Sequence, residues 1–204
     1  DYPLPSGLSD FTFDPRSNDV LSSTNDASTG DMYLLTDFGP RRLRFNMDKG
    51  VRPSWSPDGN LVAFFGNEKM SGEWGPGWAY VPTHIWVMTD RCANLYGFGC
   101  DDERESVVSG ITEIGTISWS PDSSHFVFDG IMQGKDGVFL YSLKSNELVK
   151  IATGDYSDPT WSPSGDRILV IGPRIVTKEF NPETRSEALF FLDVSEIYTP
   201  ELEE

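Results

Sequence analysis

The sequence predicts an all-β fold, a β-propeller of four-stranded antiparallel blades, and three observations carry that prediction. A turn-forming hairpin recurs four times along 204 residues, its second strand is apolar on both faces, and an aromatic residue stands just before each turn. The clearest copies are Trp55-Ser56-Pro57-Asp58-Gly59, Trp119-Ser120-Pro121-Asp122-Ser123 and Trp161-Ser162-Pro163-Ser164-Gly165. A worn copy, Phe13-Asp14-Pro15-Arg16-Ser17, comes first and replaces the Trp by Phe.

Each element follows from local chemistry. Proline presets φ at the second turn position, and Gly, Asn, Asp and Ser tolerate what remains, so every copy reads as a β-hairpin. The strands that follow, Leu61-Val62-Ala63-Phe64-Phe65, Phe126-Val127-Phe128 and Ile168-Leu169-Val170-Ile171, are near-continuous apolar runs rather than alternating ones. Such strands are covered on both faces. Small antiparallel sheets stacked face to face around an axis supply that cover, and a repeat of about 40–50 residues matches one blade. Phe13, Trp55, Trp119 and Trp161 are therefore expected as aromatics packed between blades.

The motif Trp-Ser-Pro-Asp-Gly, an apolar strand, and then a strand such as Ile85-Trp86-Val87-Met88-Thr89-Asp90 resembles the TolB-type propeller repeat. It is also similar to repeats in the propellers of prolyl oligopeptidase-like peptidases. The resemblance covers nearly the whole chain in four copies and implies the fold more than any activity. Phe13 for Trp, Arg16 and Ser164 for the turn Asp, and Ser123 for the turn Gly depart from the pattern.

The expected blades span about 10–46, 51–110, 115–153 and 157–195, with an acidic tail at 196–204. Residues 2–4 align with a fourth, outermost strand, while the last blade has only three candidates; pairing of 2–4 beside 188–194 would seal a ring. A closed four-blade ring and a part of a larger propeller both accommodate the four repeats. Two insertions interrupt the pattern, 67–82 and 173–187, and both fall between second and third strands. The first is rich in Gly and holds Trp74, Trp78 and Tyr80, which makes it the candidate binding loop.

Composition narrows the partners. With 32 acidic against 16 basic residues the formal charge is −16, which repels phosphate backbones and argues against nucleic acid. No apolar run approaches the roughly 18 residues of a membrane span, and a chain starting at Asp1 without a leader reads as mature, trimmed or excised. Cys92 and Cys100 enclose a short loop with two glycines and are expected as a structural disulfide, which favours the periplasm or cell surface. Their spacing suits no zinc site.

Catalytic signals are weak. His84 and His125, the two histidines, sit at or in apolar strands, and neither a Gly-x-Ser-x-Gly elbow nor a phosphate loop occurs. Asp101, Asp102, Glu103 and Glu105 lack the spacing of a calcium loop and are read as a solvated acidic turn, as are Asp26 and Asp31. Arg41, Arg42 and Arg44 fall on an expected outer strand, where they charge an edge or dock an acidic neighbour. The expectation is a non-enzymatic extracytoplasmic protein-interaction scaffold or assembly subunit, with no cofactor and no metal. A glycan-binding module using Trp74, Trp78 and Tyr80, and an accessory propeller of a peptidase, are the alternatives.

Overall fold

The computed structural model describes residues 3–24, 31–43, 50–67, 82–94, 103–173 and 187–195. Four antiparallel sheets are present among them. Blade 1 holds β1 (Leu8–Phe13), β2 (Val20–Thr24), β3 (Met32–Thr36) and β4 (Gly39–Arg42) in that order. Blade 2 holds β5 (Gly50–Trp55), β6 (Leu61–Gly66), β7 (His84–Thr89) and β8 (Arg104–Ser109). Blade 3 is β9 (Ile111–Trp119), β10 (His125–Met132), β11 (Lys135–Ser142) and β12 (Glu147–Thr153). Blade 4 is β13 (Ser157–Trp161), β14 (Arg167–Pro173) and β15 (Glu187–Asp193).

The chain divides into two compact units, Asp1–Ile114 and Gly115–Glu204. In the first, blades 1 and 2 stack. Leu21, Met32, Leu34 and Leu43 of blade 1 pack with Trp55, Val62, Phe64 and Met88 of blade 2. In the second, Val127, Val138 and Leu140 of blade 3 pack with Trp161, Ile168, Val170 and Leu192 of blade 4. Alternation along a strand explains why the second strands are apolar throughout. Val62 and Phe64 face blade 1, and Ala63 and Phe65, on the other face, are also fully buried.

The turns show why the motif needs its serine. Ser56 Oγ donates to Asp58 Oδ1 at 2.6 Å and accepts from the amide of Leu61 at 3.0 Å, closing the hairpin mouth. Ser120 does the same with Asp122 and His125. In blade 4, where Ser164 replaces the Asp, Ser162 Oγ turns to Asp166 instead, at 3.0 Å. In blade 1 Asp14 takes the serine's place, buried, and accepts from the amide of Arg16 at 2.9 Å.

Several expectations need correction. Residues Pro3 and Leu4 lie outside any strand, and blade 4 has three strands among the described residues, so the sealing strand is not found there. Leu4 has no apolar cover that would hold it in a sheet, being 63% exposed. The stretch after β7 begins with a turn of helix, α1 (Asp90–Asn94), whose Cys92 and Ala93 bury into the blade 1–blade 2 core. Asp90 thus starts a helix rather than ending a strand. β10 runs on to Met132, beyond the apolar stretch Phe126-Val127-Phe128, because its ladder with β11 continues to the pair Met132↔Lys135.

Candidate functional site

Two ends of each sheet have different chemistry, and the end opposite the Ser-Pro turns is the candidate site. There the inner strands begin, and β1, β5 and β13 each carry a β-bulge. Register slips between Ser9 and Thr12, between Val51 and Ser54, and between Ser157 and Thr160. The bulged residues Asp10, Arg52 and Asp158 adopt left-handed φ of 52°, 53° and 52°. None is glycine, so each carries a local conformational cost that surrounding contacts must offset.

In the first unit those contacts are a polar knot. Ser23 Oγ donates to Asp10 Oδ2 at 3.1 Å and accepts from the Arg52 amide at 3.1 Å, tying the bulge of blade 1 to that of blade 2. Ser9 Oγ donates to the same Asp10 oxygen at 2.8 Å. The Arg52 guanidinium lies 4.0 Å from Asp10 and donates to the carbonyl of Ile114 at 3.2 Å. Acid and base here offset one another.

The second unit places acid against acid. Asp129 occupies the position in β10 that Ser23 holds in β2, and its buried carboxylate accepts from the amide and hydroxyl of Thr116 at 2.7 and 3.0 Å. Burial pushes its pKa up, and Asp158 adds to that effect, while the Thr116 hydrogen bonds oppose it. Gly115 is required beside it, because an added Cβ would land on the Asp129 carboxylate.

The stem of the 67–82 insertion stands at the same end of blade 2. Asn67 is buried, and its Oδ1 accepts from the Thr83 amide at 2.8 Å and from the Thr83 hydroxyl at 3.0 Å. The Thr83 amide also donates to the Gly66 carbonyl, and its carbonyl accepts from the Ile111 amide. Both ends of the insertion are thereby clasped to the sheet. In blade 4 the pairing Pro173↔Glu187 brings the ends of the 174–186 segment together in the same way.

Trp74, Trp78 and Tyr80 lie outside the described residues, as do Cys100, Asp26, Arg44, Asp101 and Asp102. Cys92 is fully buried in α1. Trp55, Trp119 and Trp161 are 6–7% exposed, whereas Phe13 is 69% exposed. The amide of Trp55 donates to Thr12 Oγ1 at 3.1 Å, and that of Trp161 to Ser118 Oγ at 3.3 Å. The hydroxyl just before one blade's aromatic therefore holds the next blade's Trp, a role that sequence reading missed although Thr12 and Ser118 are in register.

The remaining candidates have close polar partners. His84 Nδ1 is 2.8 Å from the Thr83 hydroxyl and His125 Nδ1 is 2.7 Å from the Ser124 hydroxyl. Glu103 is engaged rather than freely solvated, accepting from Thr89 and Arg91 at 2.6 Å each. Asp31 pairs with Arg42 at 2.6 Å. Among the described residues no helix is long and apolar enough to cross a membrane.

No family model and no curated protein matches the chain. Solved structures do. A TolB-like protein from Agrobacterium tumefaciens superposes with a TM-score of 0.64 at 17% identity, covering 92% of this chain and 58% of that one. The fold is that of a TolB-like β-propeller. TolB from Acinetobacter baumannii gives a TM-score of 0.60 at 15% identity, over 92% of this chain and 41% of its own. The β-propeller domain of the Trilobed protease from Pyrococcus furiosus, described as having an open velcro topology, gives 0.62 at 17% identity, over 91% and 54%. The chain spans about half the length of these structures, 41–58%.

Proposed function

We propose that this chain is a non-enzymatic, extracytoplasmic propeller whose blades display insertion loops to protein partners. The observation that supports this most is the Asn67–Thr83 clasp. It fixes both ends of the segment carrying Trp74, Trp78 and Tyr80 to a sheet whose neighbouring strands are buried, so docking would cost little ordering of the stem. Aromatic side chains on such a segment favour recognition because they bring large apolar area with few rotors. The expected Cys92–Cys100 disulfide favours the periplasm or cell surface over the cytosol.

The test is affinity capture from envelope fractions with the wild type and a Trp74→Ala/Trp78→Ala variant. Partners held by the first and lost by the second support the reading; identical capture by both overturns the assignment to this loop. A glycan array run on the same two proteins separates the carbohydrate alternative, for which binding must fall with Trp78→Ala. A second reading, an accessory propeller of a peptidase, is favoured by the likeness to the Trilobed protease domain. It requires a nucleophile elbow elsewhere in the parent gene, which sequencing that gene checks.

A further inference from the structure

The outermost strand of a blade leaves half of its backbone N–H and C=O groups without a ladder partner, and natural sheets guard such an edge with charge, proline or a short run. Blades 1 to 3 each finish on a strand of this kind, and the three are guarded unequally. In β4 the exposed residues are Arg41 and Arg42, next to Pro40, and in β8 they are Glu105 and Ser109. β12 is the longest of the three at seven residues, and two of its exposed residues are apolar, Leu148 at 39% and Val149 at 40%. Blade 3 has its four strands and a blade on either side of it in the chain, so this edge is a property of the blade itself.

β12 does carry a lysine, but that side chain is folded inward. The Lys150 ammonium is buried with no hydrogen-bond acceptor and lies 5.4 Å from the centre of the Phe139 ring. Its stem crosses Gly137, where a Cβ would land on Lys150 Cε. The glycine thus makes room for the lysine over β11, and Glu147 is left as the one charged residue that β12 exposes. The ladder with β11 is regular from Glu147 to Lys150 and slips past Ile151. Leu148 pairs with Tyr141 and Val149 with Leu140, so the two apolar side chains stand on opposite faces of the sheet. A helix or a globular surface laid on one face would cover only one of them. A strand added at the edge covers both and supplies the missing backbone partners as well.

We infer that β12 receives an extended, net-basic segment of a partner protein as a fifth strand of blade 3, paired along 147–150 with apolar residues beside Leu148 and Val149. The formal charge of −16 and the exposed Glu147 favour a basic segment over a second copy of this chain, whose own β12 would bring like charge to the contact. This docking does not depend on the 67–82 segment of blade 2, and either assignment can fail without the other.

The probe is a labelled peptide, Lys-Thr-Val-Ile-Thr-Lys, capped at both ends and titrated against the 204-residue protein by fluorescence anisotropy. Saturable binding with a Kd under about 1 mM is expected, with slowed amide exchange at 147–150 and an affinity that falls as salt rises. The same peptide with every amide N-methylated keeps its side chains but cannot donate to a ladder, and should bind at least about tenfold more weakly. Leu148→Lys and Val149→Lys, which guard the edge, should each raise the Kd about tenfold. Should either fail to fold, Leu148→Ser/Val149→Ser, which adds no charge, must weaken binding in its place. No binding, equal binding of the methylated peptide, or exchange protection away from 147–150 overturns the inference. A dimer of the protein alone in sedimentation velocity, lost in Leu148→Lys, assigns the edge to a second copy and likewise overturns it.

Discussion

At the bulge end of the sheets, the first blade pair sets Asp10, Arg52 and Ser23 together, while the second sets Asp158 and Asp129 at the corresponding positions. Three of the four inner strands carry a left-handed residue three places before the aromatic, Asp10 and Arg52 in the first pair and Asp158 in the second. What differs is charge: an acid beside a guanidinium in one pair, and in the other a buried acid whose pKa burial raises and Asp158 raises a little further. The repeat therefore constrains inter-blade packing more tightly than the charges of the inner strands.

The contrast is broken most severely at the aromatics. Trp161→Ala should cost about 3–5 kcal/mol, because it empties a packed inter-blade space, whereas Phe13→Ala at the same repeat position should cost under about 0.5 kcal/mol. Chemical denaturation of both variants at low concentration checks this, and comparable losses would contradict the exposure of Phe13. Next in size is Gly115→Ala, which must displace the Asp129 carboxylate and should cost about 2–3 kcal/mol. Gly134→Ala, with open space around it but a φ of +71°, should cost only about 1 kcal/mol.

Asp129→Asn sharpens the charge comparison. The folded-state pKa of Asp129 is raised, so its contribution is fully present below the ordinary value of 3.8 and is given up as pH climbs through the folded value. Asparagine still accepts from Thr116 but carries no charge to desolvate. The variant should match the wild type near pH 3.5 and exceed it at neutral pH by about 1 kcal/mol, or roughly 2–4 °C in Tm. Thermal melts from pH 3 to 8 show the sign, and a variant less stable at pH 7 would mean that the carboxylate is needed as an ion.

The smallest effect belongs to the turn end. Arg16 Nη1 donates to Asn60 at 2.9 Å and Nη2 to Asp90 at 2.6 Å, bridging the turns of blades 1 and 2, but the guanidinium is exposed. Arg16→Ala should lower stability only slightly, and chemical denaturation should show that loss shrinking in high salt.

The hairpins were legible because their determinants are local. Proline and the Asp or Gly beside it dictate the turn, and four sheets appear where four motifs stand. The unbroken run Leu61–Phe65 correctly implied cover on both faces. Much of the candidate site was not legible, because Asp tolerates positive φ without requiring it and Arg seldom adopts it, so nothing in the sequence marks Asp10, Arg52 and Asp158 as left-handed. Contacts hold the first two there, through the Ser23 hydroxyl that joins blades 1 and 2. Asp129 as a buried carboxylate was not legible either, since nothing in its own segment announces Thr116 or Gly115. The helical turn at Asp90–Asn94 was missed for a similar reason: Cys92 and Ala93 are drawn into a core built by two other blades.

The Asn67–Thr83 clasp has a consequence for how this surface can change. One buried amide side chain ties the two ends of the segment together at its stem, beside the last pair of the β6–β7 ladder. Lengthening such a segment twofold costs only about 0.6 kcal/mol in closure entropy. New recognition sequences can be spliced in at this point while blade 2 keeps its register, which makes position 68 to position 82 a natural port for acquiring or exchanging specificity.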